Sequence, residues 1–211
     1  FSSDRGLCGA FNNTIIRFAE EYLKSAGDYE IYAVGKRGGD YFRKHGYPLH
    51  RIQADFRGNI ILDRIQEIAE EIKKAFLDGG FCAIDLIYNR AITAMIYKPQ
   101  REQLLPLEEE ELFAGLGAES RTGAPMDYIF EPDAKILLSE LLPKFVETKI
   151  FYVFVDAFAA EHQARMLAMA SANENCMELI DTLTLQMNKA RQASITKEIL
   201  EIVGGAEALK G

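Results

Sequence analysis

The amino-acid sequence predicts an α/β fold, in which a Rossmann-like layered sheet domain covers residues 1–132 and a helical region covers residues 133–211. Two observations lead to this prediction. Helix and strand patterns alternate through the first half of the chain, as they do in βαβ units. Beyond Asp133, glycine is absent until Gly204, so the composition there is continuously helical. A chain of 211 residues is long enough for one domain with an apolar core and an appended helix.

The first elements alternate between helix and strand. Residues 12–26 carry apolar side chains at helical spacing and are followed by a glycine, which predicts an amphipathic helix. Residues 29–34 alternate and are rich in β-formers, so they predict a strand. A short helix over residues 38–45 and a second strand over residues 49–56 come next. Because a helix connects the two strands, we expect them to pair in parallel.

The sheet domain is predicted to end in a hairpin. Residues 60–77 predict a third helix, and residues 82–88 and 91–99 predict two strands that are close enough in sequence to pair. This hairpin is expected to add one antiparallel strand to the same sheet. Residues 108–125, which contain four consecutive glutamates and then glycines, are predicted to form a mobile loop.

The helical region is predicted to contain one unusually long helix. At Pro143 we expect a kink or a break, because proline lacks the backbone N–H and crowds the preceding turn. No helix-breaking residue occurs between Val155 and Gly204. Some fifty helical residues span about 75 Å, which is more than a domain of this size can cover. The sequence therefore predicts a shaft helix from about residue 150 to 204 that extends beyond the sheet domain.

One face of this helix has the a/d repeat of a coiled coil, with steps of three and four residues that imply a left-handed supercoil. A core helix packed on its own domain would give a similar stripe, but the length of this helix favours a partner helix. The face contains one asparagine and uses methionine and alanine in place of regular leucine, which suits contacts that change. The residues of this seam are Met166, Met169, Asn173, Cys176, Ile180, Leu183, Met187 and Ala190.

Composition and charge exclude several classes of function. There are 24 Lys plus Arg and 32 Asp plus Glu, and the net charge of −8 argues against a general nucleic-acid binder. The three cysteines are too sparse for a metal site or a disulfide scaffold and indicate a reducing compartment. The longest apolar run, residues 150–155, is too short to span a membrane. Because the chain opens on phenylalanine, we expect it to be a fragment of a longer intracellular protein.

Two short motifs are candidates for chemistry. Cys8 lies between Gly6 and Gly9 and is a possible nucleophile, but no histidine is tied to it, so a structural cysteine is the preferred interpretation. The segment from Lys36 to Gly39 follows a strand and opens a helix, a geometry that binds phosphate, although it matches neither the Walker nor the dinucleotide spacing. The alternative function is therefore an α/β enzyme with a phosphate or nucleotide site there and an oligomerising helical tail. A self-associating scaffold is a third class.

Several motifs carry a family resemblance. Residues 3–9, which read SDRGLCG, resemble the signature that follows the first strand in the gamma subunit of F-type ATP synthases. Residues 188–206 are similar to the C-terminal signature of that family almost residue for residue. Residues 103–107, 128–132 and 161–166 fit between them in the expected order. The family normally begins with a long N-terminal helix and a first strand, both largely missing here, and that helix is the partner that the seam requires.

The resemblance implies a rotor without a catalytic site or cofactor of its own. Members of the family turn inside the ring of alpha and beta subunits, with their N- and C-terminal helices wound as an antiparallel coiled coil. The α/β domain forms a foot that meets the epsilon subunit and the membrane-embedded c-subunit ring. Proton flow turns that ring, and the rotation drives ATP synthesis or is driven by ATP hydrolysis. The chain would then be a peripheral membrane protein on the cytoplasmic, matrix or stromal face of the membrane.

The resemblance also implies which residues meet partners. In the upper shaft, five side chains would face the catch loops of the beta subunit and form hydrogen bonds and ion pairs that break during rotation: Arg191, Gln192, Thr196, Glu198 and Glu201. We refer to these five as the catch residues. At the foot, Tyr128 would lie near the c-ring, and Cys8 would be structural. No metal site is implied.

Overall fold

A computed structural model describes residues 1–93, 95–107 and 133–208. By its internal contacts the chain divides into two compact units, Phe1–Leu167 and Ala168–Gly211. The boundary predicted at residue 132 separates the sheet domain from the helical region, whereas these two units are separated by their contacts. The predicted domain boundary therefore stays a prediction. The helices are α1 (Phe11–Leu23), α2 (Lys36–Lys44), α3 (Leu62–Leu77) and α4 (Ala134–Ala208). The strands are β1 (Ile31–Val34), β2 (Leu49–Gln53), β3 (Ile84–Thr93) and β4 (Ile96–Leu105).

The strands form two separate pairs within the described residues. β1 pairs with β2 in parallel, with Val34 opposite Gln53, which confirms the predicted pairing across α2. β3 and β4 form the predicted antiparallel hairpin. The expectation that this hairpin joins the same sheet is wrong, because the first two residues of the chain lie between the two pairs. The Phe1 nitrogen donates to Ile87 O of β3, and the Ser2 nitrogen donates to Val34 O of β1, both at 2.8 Å.

Both hairpin strands are longer than the sequence predicts. The prediction ended the second strand at Pro99, because proline commonly ends a strand. β4 continues through Pro99 to Leu105, and Pro99 pairs opposite Asn89. Proline donates no ladder hydrogen bond, but it is tolerated in a strand with a free edge, and β4 pairs with β3 alone among the described strands.

The core of the first unit is built around the early part of α4. Phe154 and Ile150 of this helix are fully buried, and the Phe154 ring lies 5.3 Å from that of Phe56 and 5.7 Å from that of Phe158. Of the kink or break expected at Pro143, the break does not occur, since α4 is continuous through this residue. One lost backbone hydrogen bond is outweighed there by burial of the following turns, which begin with Val146.

The described residues of the second unit form the last part of α4. Apart from the half-buried Asn188, every residue from 169 to 206 is exposed, including large apolar side chains such as Ile180 and Leu183. Across the described residues, the helices contain no stretch that is both long and apolar enough to cross a membrane.

Tyr88 gives a testable pH dependence to the first unit. Its side chain is buried, its hydroxyl donates to Glu102 at 2.9 Å, and burial followed by this carboxylate raises the pKa of the phenol above its usual value of 10. The unfolded chain therefore loses this proton first, so the stabilisation is complete below pH 10 and is lost as the pH rises further. We expect the free energy of unfolding to fall by up to about 1.4 kcal/mol per pH unit for this one proton.

Urea titrations between pH 8 and 11 measure this effect. Tyr88→Phe should flatten the alkaline decline, whereas Tyr152→Phe, at an exposed position, serves as the matched control. Equal slopes for the two variants would contradict the assignment to Tyr88.

Candidate functional site

The N-terminal motif forms a closed hydrogen-bonded turn. Cys8 is buried, and its sulfur accepts a hydrogen bond from Asn12 Nδ2 at 3.2 Å and lies 3.7 Å from Ser3 Oγ. Asn12 Oδ1 in turn accepts from the Ser3 nitrogen at 2.9 Å. The polar partners of the thiol are thus a hydroxyl, an amide and, at 3.9 Å, the Arg5 carbonyl, none of which can act as a base. This environment supports a structural role for Cys8.

Asp4 ties the N-terminal turn to two further loops. Its Oδ1 accepts from the Lys36 nitrogen at 3.0 Å, and its Oδ2 accepts from the Arg57 nitrogen at 2.7 Å. The carboxylate therefore occupies the N-terminus of α2, where the helix dipole favours a negative charge. Sequence reasoning missed this role, although an aspartate within a glycine-rich turn was a usable signal.

The candidate phosphate segment is filled by the chain itself. At the start of α2, the Lys36 nitrogen donates to Asp4, the Arg37 nitrogen to Ser3 O at 3.0 Å, and the Gly38 nitrogen to Ser2 Oγ at 2.9 Å. A phosphate would have to displace all three acceptors and approach a carboxylate. The alternative function as a phosphate-binding enzyme is therefore disfavoured by this geometry.

The glycines of this segment are explained by close packing. A Cβ built on Gly35 would lie 2.0 Å from Ser2 O, and one built on Gly39 would lie 2.6 Å from Ile52 Cγ2. The first glycine admits the N-terminal segment beside β1, and the second admits β2 beside α2. The pattern that resembled a phosphate loop thus reflects backbone packing.

The catch residues all lie on α4 in the second unit, and their side chains are exposed. Thr196 Oγ1 donates to Gln192 O at 2.8 Å, within the helix. Lys197 lies 3.7 Å from Glu201, and Glu198 accepts a long hydrogen bond of 3.5 Å from Ser194. Arg191 has no hydrogen bond or ion pair within the described part of the chain. These side chains are therefore available to a partner surface.

The catch residues do not share one helical face. At 100° per residue, positions 191 and 198 lie within about 20° of each other, whereas position 196 is about 140° from 191. Such an arrangement presents polar groups in more than one direction around the helix axis.

The seam residues are also on α4, and their side chains are accessible, with Met166, Ile180, Leu183 and Met187 each more than half exposed. None of these four packs in a core cluster of the first unit. Their role as a coiled-coil seam stays a proposal. Tyr128 and the predicted loop over residues 108–125 lie outside the described residues.

The other candidates for chemistry are metal-binding clusters and the histidines. No group of three or more His, Cys, Asp or Glu side chains in that part of the chain is arranged to hold a metal ion. The three histidines have separate partners. His45 and His162 contact the carbonyls of Tyr41 and Gly58, and His50 lies 2.9 Å from Glu30.

The chain is similar to known proteins over nearly its whole length. The family model described as ATP synthase matches residues 1–209. The ATP synthase gamma chain of Christiangramia forsetii is 43% identical over 213 residues, covering 100% of this chain and 71% of that protein. The ATP synthase gamma chain of Desulforamulus reducens is 40% identical over 209 residues, covering 99% of this chain and 71% of that protein.

Solved structures agree on the fold. A chain of the Euglena gracilis mitochondrial ATP synthase, from a structure of OSCP, F1 and c-ring, gives a TM-score of 0.72 at 21% identity, covering 99% of this chain and 70% of that one. A chain of the Tetrahymena thermophila mitochondrial ATP synthase, from a structure of the central stalk and c-ring, gives 0.61 at 21% identity, covering 82% and 74%. On the strength of the sequence relatives, the chain belongs to the ATP synthase gamma chain family.

Proposed function

We propose that this chain is the central-stalk rotor of an F-type ATP synthase, which couples rotation of a membrane c-ring to ATP synthesis or hydrolysis. The observation that carries the proposal is α4, a continuous helix of 75 residues whose last forty or so are exposed and include both large apolar and charged side chains. Family membership and the likeness to central-stalk structures support it.

We propose the partners from membership of the family, together with the exposed side chains of α4. The seam would pair with the N-terminal helix of the subunit as half of an antiparallel coiled coil. The catch residues would meet the beta subunits, within the ring of alpha and beta subunits. The foot, including Tyr128, would meet the epsilon subunit and the c-ring. The subunit would then be peripheral, on the cytoplasmic, matrix or stromal face of the membrane.

The proposed mechanism is differential binding of a mechanical ligand. A shaft that contacted the three catalytic conformers equally would shift none of them, however tightly it bound. The catch residues point in different directions around α4, so in one orientation each beta subunit would meet a different set of polar groups. Rotation would exchange these sets and thereby change the affinity of each catalytic centre for nucleotide.

We further propose that the chain contributes no catalytic residue of its own. The closed environment of Cys8 and the filled N-terminus of α2 support this part of the proposal. Purified chain should therefore hydrolyse no ATP. Hydrolysis that is abolished by Cys8→Ala would contradict it.

The catch residues provide the test of the rotor function. Arg191→Ala and Glu198→Ala should leave the melting temperature of the isolated chain almost unchanged, because exposed charges contribute only about 0–1 kcal/mol each. In an enzyme reconstituted with alpha and beta subunits, the same changes should slow rotation-linked ATP hydrolysis several-fold, since about 1.4 kcal/mol in a barrier is tenfold in rate.

A matched control is Glu178→Ala, which removes an exposed carboxylate from the same helix outside the catch residues. It should leave both melting temperature and rate unchanged. If Arg191→Ala or Glu198→Ala unfolds the isolated chain instead, the catch assignment is wrong. If the full-length wild-type subunit fails to support hydrolysis in the reconstituted enzyme, the rotor function is wrong.

A further inference from the structure

Two adjacent side chains hold α4 from two directions near the end of the first unit. His162 Nε2 lies 3.0 Å from Gly58 O, a distance at which the ring N–H donates to the carbonyl. Gln163 Nε2 donates to Thr93 O at the end of β3. Successive residues on a helix are 100° apart, so these two bonds approach α4 from different sides. We call these four residues, His162, Gln163, Gly58 and Thr93, the helix clamp.

The helix clamp contains the last contacts of this kind before the second unit begins. Within the described residues, the hydrogen bonds of α4 beyond Gln163 are made inside the helix itself, as from Arg165 to Glu161 and from Thr196 to Gln192. The helix then continues through Leu167 without a break. Any force that the sheet domain exerts on α4 must therefore act through residues of the first unit.

The loop that carries Gly58 is held firmly in place. Arg57 and Gly58 both have left-handed backbone angles, with φ of 54° and 79°, and the Arg57 nitrogen donates to Asp4 Oδ2 at 2.7 Å. On the other side, Phe56 is buried against Phe154 of α4. The loop is therefore anchored in the N-terminal turn and in the core, and it offers α4 a fixed carbonyl.

Gly58 also leaves no room for a side chain beside His162. A Cβ at this position would lie 2.8 Å from His162 Nε2 and 3.3 Å from its Cε1. Any side chain at residue 58 would therefore displace the imidazole from its acceptor. The close approach of loop and helix requires glycine at this position for space as well as for its φ.

Gln163 stabilises the fold less than an apolar residue would at the same position. It is 9% exposed, and its Oε1 has no hydrogen-bond partner among the described residues. A buried amide that is only half satisfied is less favourable than an apolar side chain of similar size. What the amide provides is a directional bond to the hairpin, which apolar packing does not provide.

We propose that the helix clamp transmits torque between the sheet domain and α4, with His162 and Gln163 as positioning residues that fix the rotational angle of the helix. This inference rests on the proposed rotor function. Apolar side chains such as Ile150 and Phe154 hold the helix against the domain, but their ridges and grooves resist turning only through shape. Two directional bonds to carbonyls on different sides resist turning in either sense.

The test uses the full-length subunit in a reconstituted, membrane-embedded ATP synthase, with ATP hydrolysis and ATP-driven proton pumping measured on the same vesicles. The double variant His162→Ala with Gln163→Leu should keep hydrolysis within twofold of wild type. Protons pumped per ATP hydrolysed should fall at least threefold, and the largest pH gradient reached should fall with them. A control that removes the same residue types from exposed positions elsewhere, His45→Ala with Gln66→Leu, should pump normally.

Two further variants separate torque transfer from folding. His162→Ala alone, at an exposed position, should lower the pumping ratio while leaving the melting temperature unchanged. His162→Gln, which keeps a side-chain N–H donor, should restore the ratio. Normal pumping by the double variant, or no recovery with His162→Gln, would overturn the clamp. If wild-type subunit itself supports no ATP-driven pumping, the rotor function fails first.

Discussion

Gly35→Ala is expected to lower the free energy of unfolding of the chain by about 3 kcal/mol or more. The residue has φ of 97° and ψ of 141°, a backbone region in which L side chains are strained by about 1–3 kcal/mol. In addition, the new Cβ would lie 2.0 Å from Ser2 O, which is a backbone atom and cannot rotate away. The N-terminal segment would have to leave its place beside β1.

The displaced segment takes several interactions with it. The Ser2 nitrogen would lose Val34 O, the Gly38 nitrogen would lose Ser2 Oγ, and the Phe1 ring would lose its edge contact with Phe154 at 4.9 Å. Domains of this size have about 5–15 kcal/mol of stability in total, so the melting temperature should fall by roughly 10 °C.

Gly27→Ala is the matched control. A methyl group added at Gly27 would meet no other atom within 4 Å, and the residue has no left-handed φ, so the change should be within about 0.5 kcal/mol. Thermal melts of the two variants by circular dichroism provide the measurement. If they melt within about 2 °C of each other, the N-terminal segment does not hold the two strand pairs together.

The fold was predictable wherever local chemistry decided it. β1 and β2 pair in parallel as their connection through α2 requires, and the hairpin of β3 and β4 follows from its short turn. The errors arose where tertiary contacts outweigh local preference. Pro143 did not end α4, because the turns after it are buried, and Pro99 did not end β4, because no described strand other than β3 pairs with it.

Sequence motifs alone did not decide the role of the candidate sites. Lys36–Gly39 follows a strand and opens a helix as phosphate loops do, and only the structure shows its amides bonded to Ser2, Ser3 and Asp4. His162 and Gln163 belong to a polar run with Glu161 and Arg165, which separates two apolar stretches of the helix and could have been noticed in the sequence. Their acceptors, Gly58 and Thr93, are distant in sequence, and no local pattern links them.

A second large effect is expected for self-association of the chain through the seam of α4. We expect the 211-residue chain to self-associate through the exposed stripe that contains Ile180, Leu183 and Met187. Each such side chain contributes roughly 1.5–3 kcal/mol when fully buried, and apolar patches of this extent on a folded chain mark an interface. Sedimentation at rising concentration should therefore show a shift from monomer to a larger species.

Charges on the stripe should abolish that shift. Ile180→Asp with Leu183→Asp removes from each copy two apolar side chains that the contact between copies would bury, and it places carboxylates there. The concentration for half-association should therefore rise more than 100-fold. Thr182→Asp with Leu185→Asp adds the same charge on the opposite face of α4 and should change the concentration for half-association little.

Both double variants should keep the wild-type melting temperature of the first unit, because positions 180 to 185 lie in the second unit. A wild-type chain that stays monomeric at all concentrations would contradict the seam, as would equal weakening by both pairs of substitutions, since simple charge repulsion would then explain the loss.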